Sequence, residues 1–147
     1  MNRRDLLTTA AGSVAAFSLA ALAEEPRAAA APPPAKLEPL NAALYEAALG
    51  CLKAGDVCLE HCVRSLAAGE KMMAECAVTV RQMLPLCQAL SELAVQRSPH
   101  LKGLAAVCAK ACRECEAACK KHANHHAECK ACMESCQKCA AECEKLA

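Results

Sequence analysis

The sequence predicts an all-α protein, an antiparallel up-down-up-down four-helix bundle with a cysteine-lined core. Three observations predict it. From Leu40 onward helix breakers are few, and they leave segments of about 20–29 residues. Inside those segments Cys and apolar residues recur at steps of three and four, the helical period, while the alternation of a strand is absent. The chain of 147 residues carries 14 cysteines but no Trp, with Phe17 and Tyr45 its only aromatics, so a core built from rings is excluded. The length suits one domain. A formal net charge of +1 gives no pull toward nucleic acid or acidic membranes. Without aromatic platforms, base stacking is equally unfavoured.

Residues 1–23, MNRRDLLTTAAGSVAAFSLAALA, read as an address rather than a fold. Arg3 and Arg4 form a basic start, an apolar stretch runs from Ala10 to Leu22, and Ala21-Leu22-Ala23 fits a cleavage site. Arg3-Arg4 followed by Asp5-Leu6-Leu7 resembles a twin-arginine signal, so the expected destination is a bacterial periplasm. The apolar run is too short and too rich in Ala and Ser for a stable membrane span. Export in the folded state suits this chain, because unfolded thiols arriving in an oxidising compartment form disulfides. Removal of residues 1–23 leaves 15 basic and 15 acidic residues. Residues 24–39 hold five of the seven prolines and read as a Pro/Ala-rich linker.

The bundle is expected over residues 40–147. Its first helix runs from Leu40 to Ala68, with Pro39 placed for a helix start and Gly69 for a helix end. The second runs from Glu70 to Gln96, is closed by Ser98-Pro99, and should bend at Pro85. The third spans His100 to His122. Asn124 marks a tight turn, and the fourth spans His125 to Leu146. Such short connections favour antiparallel neighbours.

The cysteines follow the helical phase. The third segment has Cys108, Cys112, Cys115 and Cys119, at steps of 4, 3 and 4. The fourth has Cys129, Cys132, Cys136, Cys139 and Cys143, at steps of 3, 4, 3 and 4. These nine occupy the stripes that heptad patterns normally fill with Leu or Ile. The first segment adds Cys51, Cys58 and Cys62, and the second adds Cys76 and Cys87, with Val80 and Met83 at the steps between them. Charged residues such as Glu128, Lys130, Glu134 and Lys138 lie off the stripe.

Three chemistries fit a sulfur-lined core. Cys can act as a small hydrophobe, but an interior of Cys and Ala buries little surface per residue and is weak unless something fills it. Disulfides between helices are feasible, as in helical hairpins stapled by twin Cys-x-x-x-Cys motifs, which Cys115/Cys119 and Cys132/Cys136 resemble. That reading gives a structural or partner-binding protein. Soft metal is the third. Zinc prefers tetrahedral groups of four, usually on loops, and iron–sulfur spacings are absent. Cu(I) accepts two thiolates in near-linear geometry, which an i,i+4 pair on a straight helix can offer. If each thiolate bridges two coppers the core is neutral, which corresponds to about one Cu(I) per Cys. A zinc buffer and a disulfide-stapled bundle are the alternatives.

The set as a whole resembles the copper storage protein family, in its exported form. Arg3-Arg4 and the pairs Cys58/Cys62, Cys108/Cys112, Cys115/Cys119, Cys132/Cys136 and Cys139/Cys143 carry the resemblance, which covers the chain beyond about residue 37. It departs at Val80 and Met83, where the second helix is poorer in Cys. The resemblance implies a homotetramer of bundles, many Cu(I) ions along each axis, and copper held for copper-requiring recipient enzymes outside the cytoplasm.

In this topology one end of the bundle gathers Met72, Met73, His122, His125 and His126, with His61 about two turns inside and Met133 beside Cys132. The other end lacks Met and has only His100. Thioether and imidazole hold Cu(I) more weakly than bridging thiolates, so the first end is the expected mouth. His61 and Met73 lead the candidates there; Met72, Met83, His122, His125, His126 and Met133 are secondary metal ligands. No catalytic residues are expected. There is no Ser-His-Asp set, phosphate loop or Glu-x-x-His iron pattern, and a redox catalyst needs an exposed reactive Cys.

Overall fold

The computed structural model describes residues 41–146, so the signal sequence and linker expected before them lie outside the described residues. Four helices follow in order: α1 Ala42–Ala67, α2 Ala74–Val95, α3 Leu101–Lys120 and α4 Ala127–Glu144. A 3₁₀ turn at Lys71–Met73 leads into α2. They form the expected antiparallel bundle. α1 packs on α2 and α4, α3 packs on the same two helices, and no backbone contact crosses a diagonal.

The breakers act largely where the sequence places them. Gly69 closes α1 with φ +96°, a conformation that favours glycine. Its amide donates to the Leu66 carbonyl, and the Glu70 amide donates to that of Ser65, both at 3.0 Å. α2 continues through Pro85 to Val95. The chain then turns at Arg97, a non-glycine residue with φ 53°. The expected boundaries shift at the mouth. The second helix starts as a 3₁₀ turn, in which the Met73 amide donates to Glu70 at 3.1 Å. α3 stops at Lys120 and α4 begins at Ala127, because the His122 carbonyl accepts the amides of both His125 and His126 at 3.0 Å. That closes a turn where the sequence reading runs both helices on.

The stripes converge on the axis. All 14 cysteines are fully buried, together with Met73, Val80, Met83, Leu90 and a few alanines. Partly buried Leu52, Leu59, Leu66, Leu84, Leu93 and Leu104 pack around this interior. They supply apolar burial that small thiols cannot, at roughly 1.5–3 kcal/mol for a fully buried Leu. Gly55 lets α1 and α2 approach closely: a Cβ there would lie 2.7 Å from Leu84 Cδ2 and 3.0 Å from Met83 Cε. Outside, Arg113 donates to both Glu144 carboxylate oxygens at 3.0 Å, tying α3 to α4. Lys121 bonds Glu75 at 2.8 and 2.7 Å, tying the end of α3 to α2. Exposed pairs of this kind are worth about 0–1 kcal/mol each, so the interior decides stability.

Candidate metal centre

The cysteine stripes meet as groups of sulfur rather than as isolated side chains. Cys51, Cys87, Cys112 and Cys139 form one group of four, one from each helix, with Sγ atoms within 4.8 Å of one another. Cys58, Cys62, Cys76 and Cys129 form a second. Three groups of three complete the set: Cys58/Cys119/Cys132, Cys108/Cys139/Cys143 and Cys115/Cys132/Cys136. Every cysteine of the chain belongs to at least one group, and Cys58, Cys132 and Cys139 each belong to two. Shared members join the groups into two runs, one through Cys139 and one through Cys58 and Cys132, and hydrogen bonds of Cys136 with Cys51 and Cys112 connect the runs into a ladder along the axis.

Close contacts bind the ladder. The Sγ atoms of Cys76 and Cys119 lie 3.3 Å apart. Cys58 lies 3.9 Å from Cys76, 4.0 Å from Cys119 and 3.9 Å from Cys129, so it touches sulfur on the three other helices. Cys87 lies 3.6 Å from Cys108 and 3.8 Å from Cys112, and Cys115 3.8 Å from Cys132. All fourteen are free thiols. The disulfide-stapled alternative has no bond to stand on among the described residues.

The thiols polarise one another in opposite directions. Burial, followed by the neighbouring Cys76 charge, pushes Cys62 up to about 12. Hydrogen bonds from Cys108 and then Cys136 hold Cys112 down to about 2. Cys76, Cys132 and Cys139 are also lowered, chiefly through Cys119, Cys115 and Cys108 respectively. Cys87, Cys119 and Cys136 are pushed far up by the thiols around them. Each sulfur group therefore contains at least one member biased toward thiolate, the form that binds metal. The remaining protons must leave when metal enters.

The two ends of the ladder differ. One is closed by apolar side chains: Leu44, Ala48, Leu90, Ala94, Leu101 and Ala105 are buried there. His100 stands exposed beside it. At the other end the His61 Nε2 and His126 Nδ1 atoms are 2.8 Å apart, a hydrogen bond between rings from α1 and the turn before α4. His61 Nδ1 is 3.7 Å from Glu128 Oε2. The His122 ring lies edge-on to His126 with centroids 6.3 Å apart, and is buried. Met73 is fully buried and adds a thioether to this end of the core.

Of the secondary ligands, His122 and His126 thus gather with His61, and the others scatter. Met72 is 74% exposed and faces away from the core that Met73 enters. His125 is exposed, and with His126, Met133, Lys120, Asn124 and Lys130 it lines a depression of about 620 Å³ at the α3–α4 turn. Met133 is partly buried: it packs against the cysteine core and also lines this depression. Met83 lies within the bundle, remote from the mouth in sequence and beside Cys87. Sequence reasoning did not single out Glu128. Its position beside His61 depends on two helices meeting, and only its place two residues after His126 hints at it.

A core of linked thiols with one polar, imidazole-bearing end is suited to soft metal ions in number. Comparison with known proteins agrees. A family model described as copper storage protein matches residues 38–147. The chain belongs to the copper storage protein family. The cysteine-rich protein YhjQ of Bacillus subtilis (strain 168) is 32% identical over 93 residues, covering 63% of this chain and 83% of that protein. Among solved structures, apo copper storage protein 3 from Bacillus subtilis is similar with a TM-score of 0.62 at 30% identity, covering 71% of this chain and 95% of that one. The Cu(I)-bound copper storage protein BsCsp3 gives 0.66 at 30% identity, with the same coverage. Ccsp from Streptomyces lividans, loaded with 10 copper equivalents, gives 0.66 at 24% identity, covering 72% of this chain and 82% of that one, and shares the fold. Membership gives the stripes a common purpose. A copper storage protein needs interior sulfur in quantity, and the bundle supplies it without a single loop ligand.

Proposed function

We propose that this protein stores Cu(I), several ions per chain, on the thiolates of its bundle axis. The observation that carries the reading is the ladder: fourteen buried free thiols fall into linked groups whose sulfurs lie within 4.8 Å. Cu(I) is soft and tolerates two or three sulfur ligands. Each thiolate that bridges two ions brings one negative charge per copper, so a filled core is neutral and avoids the cost of buried net charge. Saturation is then expected on the order of 14 ions. Zinc is the second reading, because the two groups of four cysteines suit tetrahedral Zn(II). It leaves the groups of three unexplained.

The histidine end supports a role as the mouth, with His61, His126, His122 and Met73 handing ions to and from the first thiolates, Cys62, Cys76 and Cys129. The apolar cap at the other end supports passage from one side only. The twin-arginine-like start supports export to the periplasm. There the store would supply copper-requiring enzymes or take up excess copper, as a homotetramer on the family's pattern. We read the protein as a store and not an enzyme.

The test is anaerobic titration of reduced, metal-free protein with Cu(I), followed by native mass spectrometry, with Zn(II) in a parallel series. Uptake of roughly 14 ions that withstands a strong Cu(I) chelator is the expected result. Saturation at four ions or fewer, or retention of Zn(II) against Cu(I), would overturn the reading.

A further inference from the structure

We propose that Met83 is a copper ligand in the interior of the bundle, its thioether pairing with Cys87 as a Met-x-x-x-Cys counterpart of the Cys-x-x-x-Cys pairs on the other helices. This rests on the copper-storing reading and assigns one residue within it.

The position is a gap in the sulfur pattern only if thiols alone are counted. On α2 the stripe runs Cys76, Val80, Met83, Cys87. Met83 is fully buried, and Cys87 Sγ donates to its Sδ at 3.3 Å. That is the shortest sulfur contact Cys87 makes, ahead of Cys108 at 3.6 Å and Cys112 at 3.8 Å. The thioether therefore borders the group of Cys51, Cys87, Cys112 and Cys139.

Space and charge both suit the role. The methyl Cε lies 3.0 Å from where a Cβ on Gly55 would stand, so the glycine leaves the room that this methyl takes. With the methyl directed at α1, the sulfur is left facing Cys87. A thioether is as soft a donor as a thiolate but carries no charge and holds no proton. Copper held by Met83 and Cys87 alone is already neutral, whereas copper between two unshared thiolates carries one net negative charge. The pair thus binds an ion without drawing a bridging thiolate from its neighbours. Leu would fill the same volume but could not do this.

Selenium reports on the sulfur position directly. The full chain is prepared with selenomethionine in a Met72→Leu, Met73→Leu, Met133→Leu background, with and without Met83→Leu. Both are loaded with Cu(I) and measured at the selenium absorption edge. The expected result is a selenium–copper distance in the chain that keeps Met83 and its loss in the Met83→Leu chain. Helix content by circular dichroism checks that both fold. If the background is poorly folded, the otherwise native chain serves, and Met83→Leu should lower its selenium–copper amplitude. A copper-loaded protein in which Met83→Leu changes no selenium–copper signal overturns the assignment and leaves storage standing. A chain that takes up no copper at all overturns both.

Discussion

Adding one methyl group at Gly55 tests how closely α1 and α2 are fitted. Gly55→Ala places a Cβ 2.7 Å from Leu84 Cδ2 and 3.0 Å from Met83 Cε, well inside the carbon contact distance of about 3.5–4.0 Å. Leu84 Cδ2 must therefore retreat by about 1 Å, or the helices must part. Overpacking of this kind costs about 1–3 kcal/mol. Against it stands the helix preference of Ala over Gly, about 0.8–1.0 kcal/mol. Gly50 provides the control, since it lies in the same helix and a Cβ there meets nothing within 4 Å. Gly50→Ala should stabilise the metal-free protein by about 0.5–1 kcal/mol, and Gly55→Ala should leave it unchanged or weaken it by up to about 2 kcal/mol. The difference between the two variants isolates the packing term. Urea unfolding of the reduced, copper-free protein measures it, and 1 kcal/mol corresponds to about 4–8 °C in Tm for a domain of this size. Equal midpoints for the two variants would refute the argument that Gly55 is required for close approach.

His61→Leu combined with Met73→Leu should slow removal of copper by a chelator several-fold while leaving the saturating count unchanged; equal rates would reject the mouth. The copper-free bundle should lose stability above about pH 9. Cys62 is raised to about 12, so between about pH 9 and 12 the unfolded chain gives up a proton that the folded one retains, and unfolding is favoured. Cys112, lowered to about 2, acts in the opposite sense below about pH 9 and adds no slope above it. A Tm of the reduced apo protein that rises between pH 9 and 11 would contradict this assignment. Arg97→Gly should stabilise the chain by about 0.5–1 kcal/mol, because a side chain at φ 53° is strained where glycine is not; a fall in the urea midpoint would show that the Arg97 side chain contributes more than its backbone costs.

The sequence carries the bundle and its sulfur almost directly. Steps of three and four in α3 and α4 fix which face turns inward, so Cys108 through Cys143 were readable as core without any coordinates. Periodicity gives a face but not a partner. It cannot show that Cys58 reaches sulfur on three helices, because that depends on the heights at which four separate stripes meet. The same limit hides the His61–His126 bond across 65 residues. It also explains why Met133, next to Cys132 in sequence and packed against the core, lines a surface depression with Lys130 that the sequence does not show. Gly55 was silent for a different reason. A helical glycine says only that a side chain is missing, and what fills the space belongs to the neighbouring helix.

Val80 and Gly55 interrupt the cysteine stripes without interrupting the helices that carry them. Capacity is thereby separated from architecture. A core position such as Val80 holds a small apolar group where its neighbours hold sulfur and still closes the bundle, so the quantity stored is written in the side-chain register one residue at a time. A lineage facing scarce or abundant metal can adjust its holdings by single substitutions, with no new loop, domain or fold. Val80→Cys is the smallest such step open to this chain.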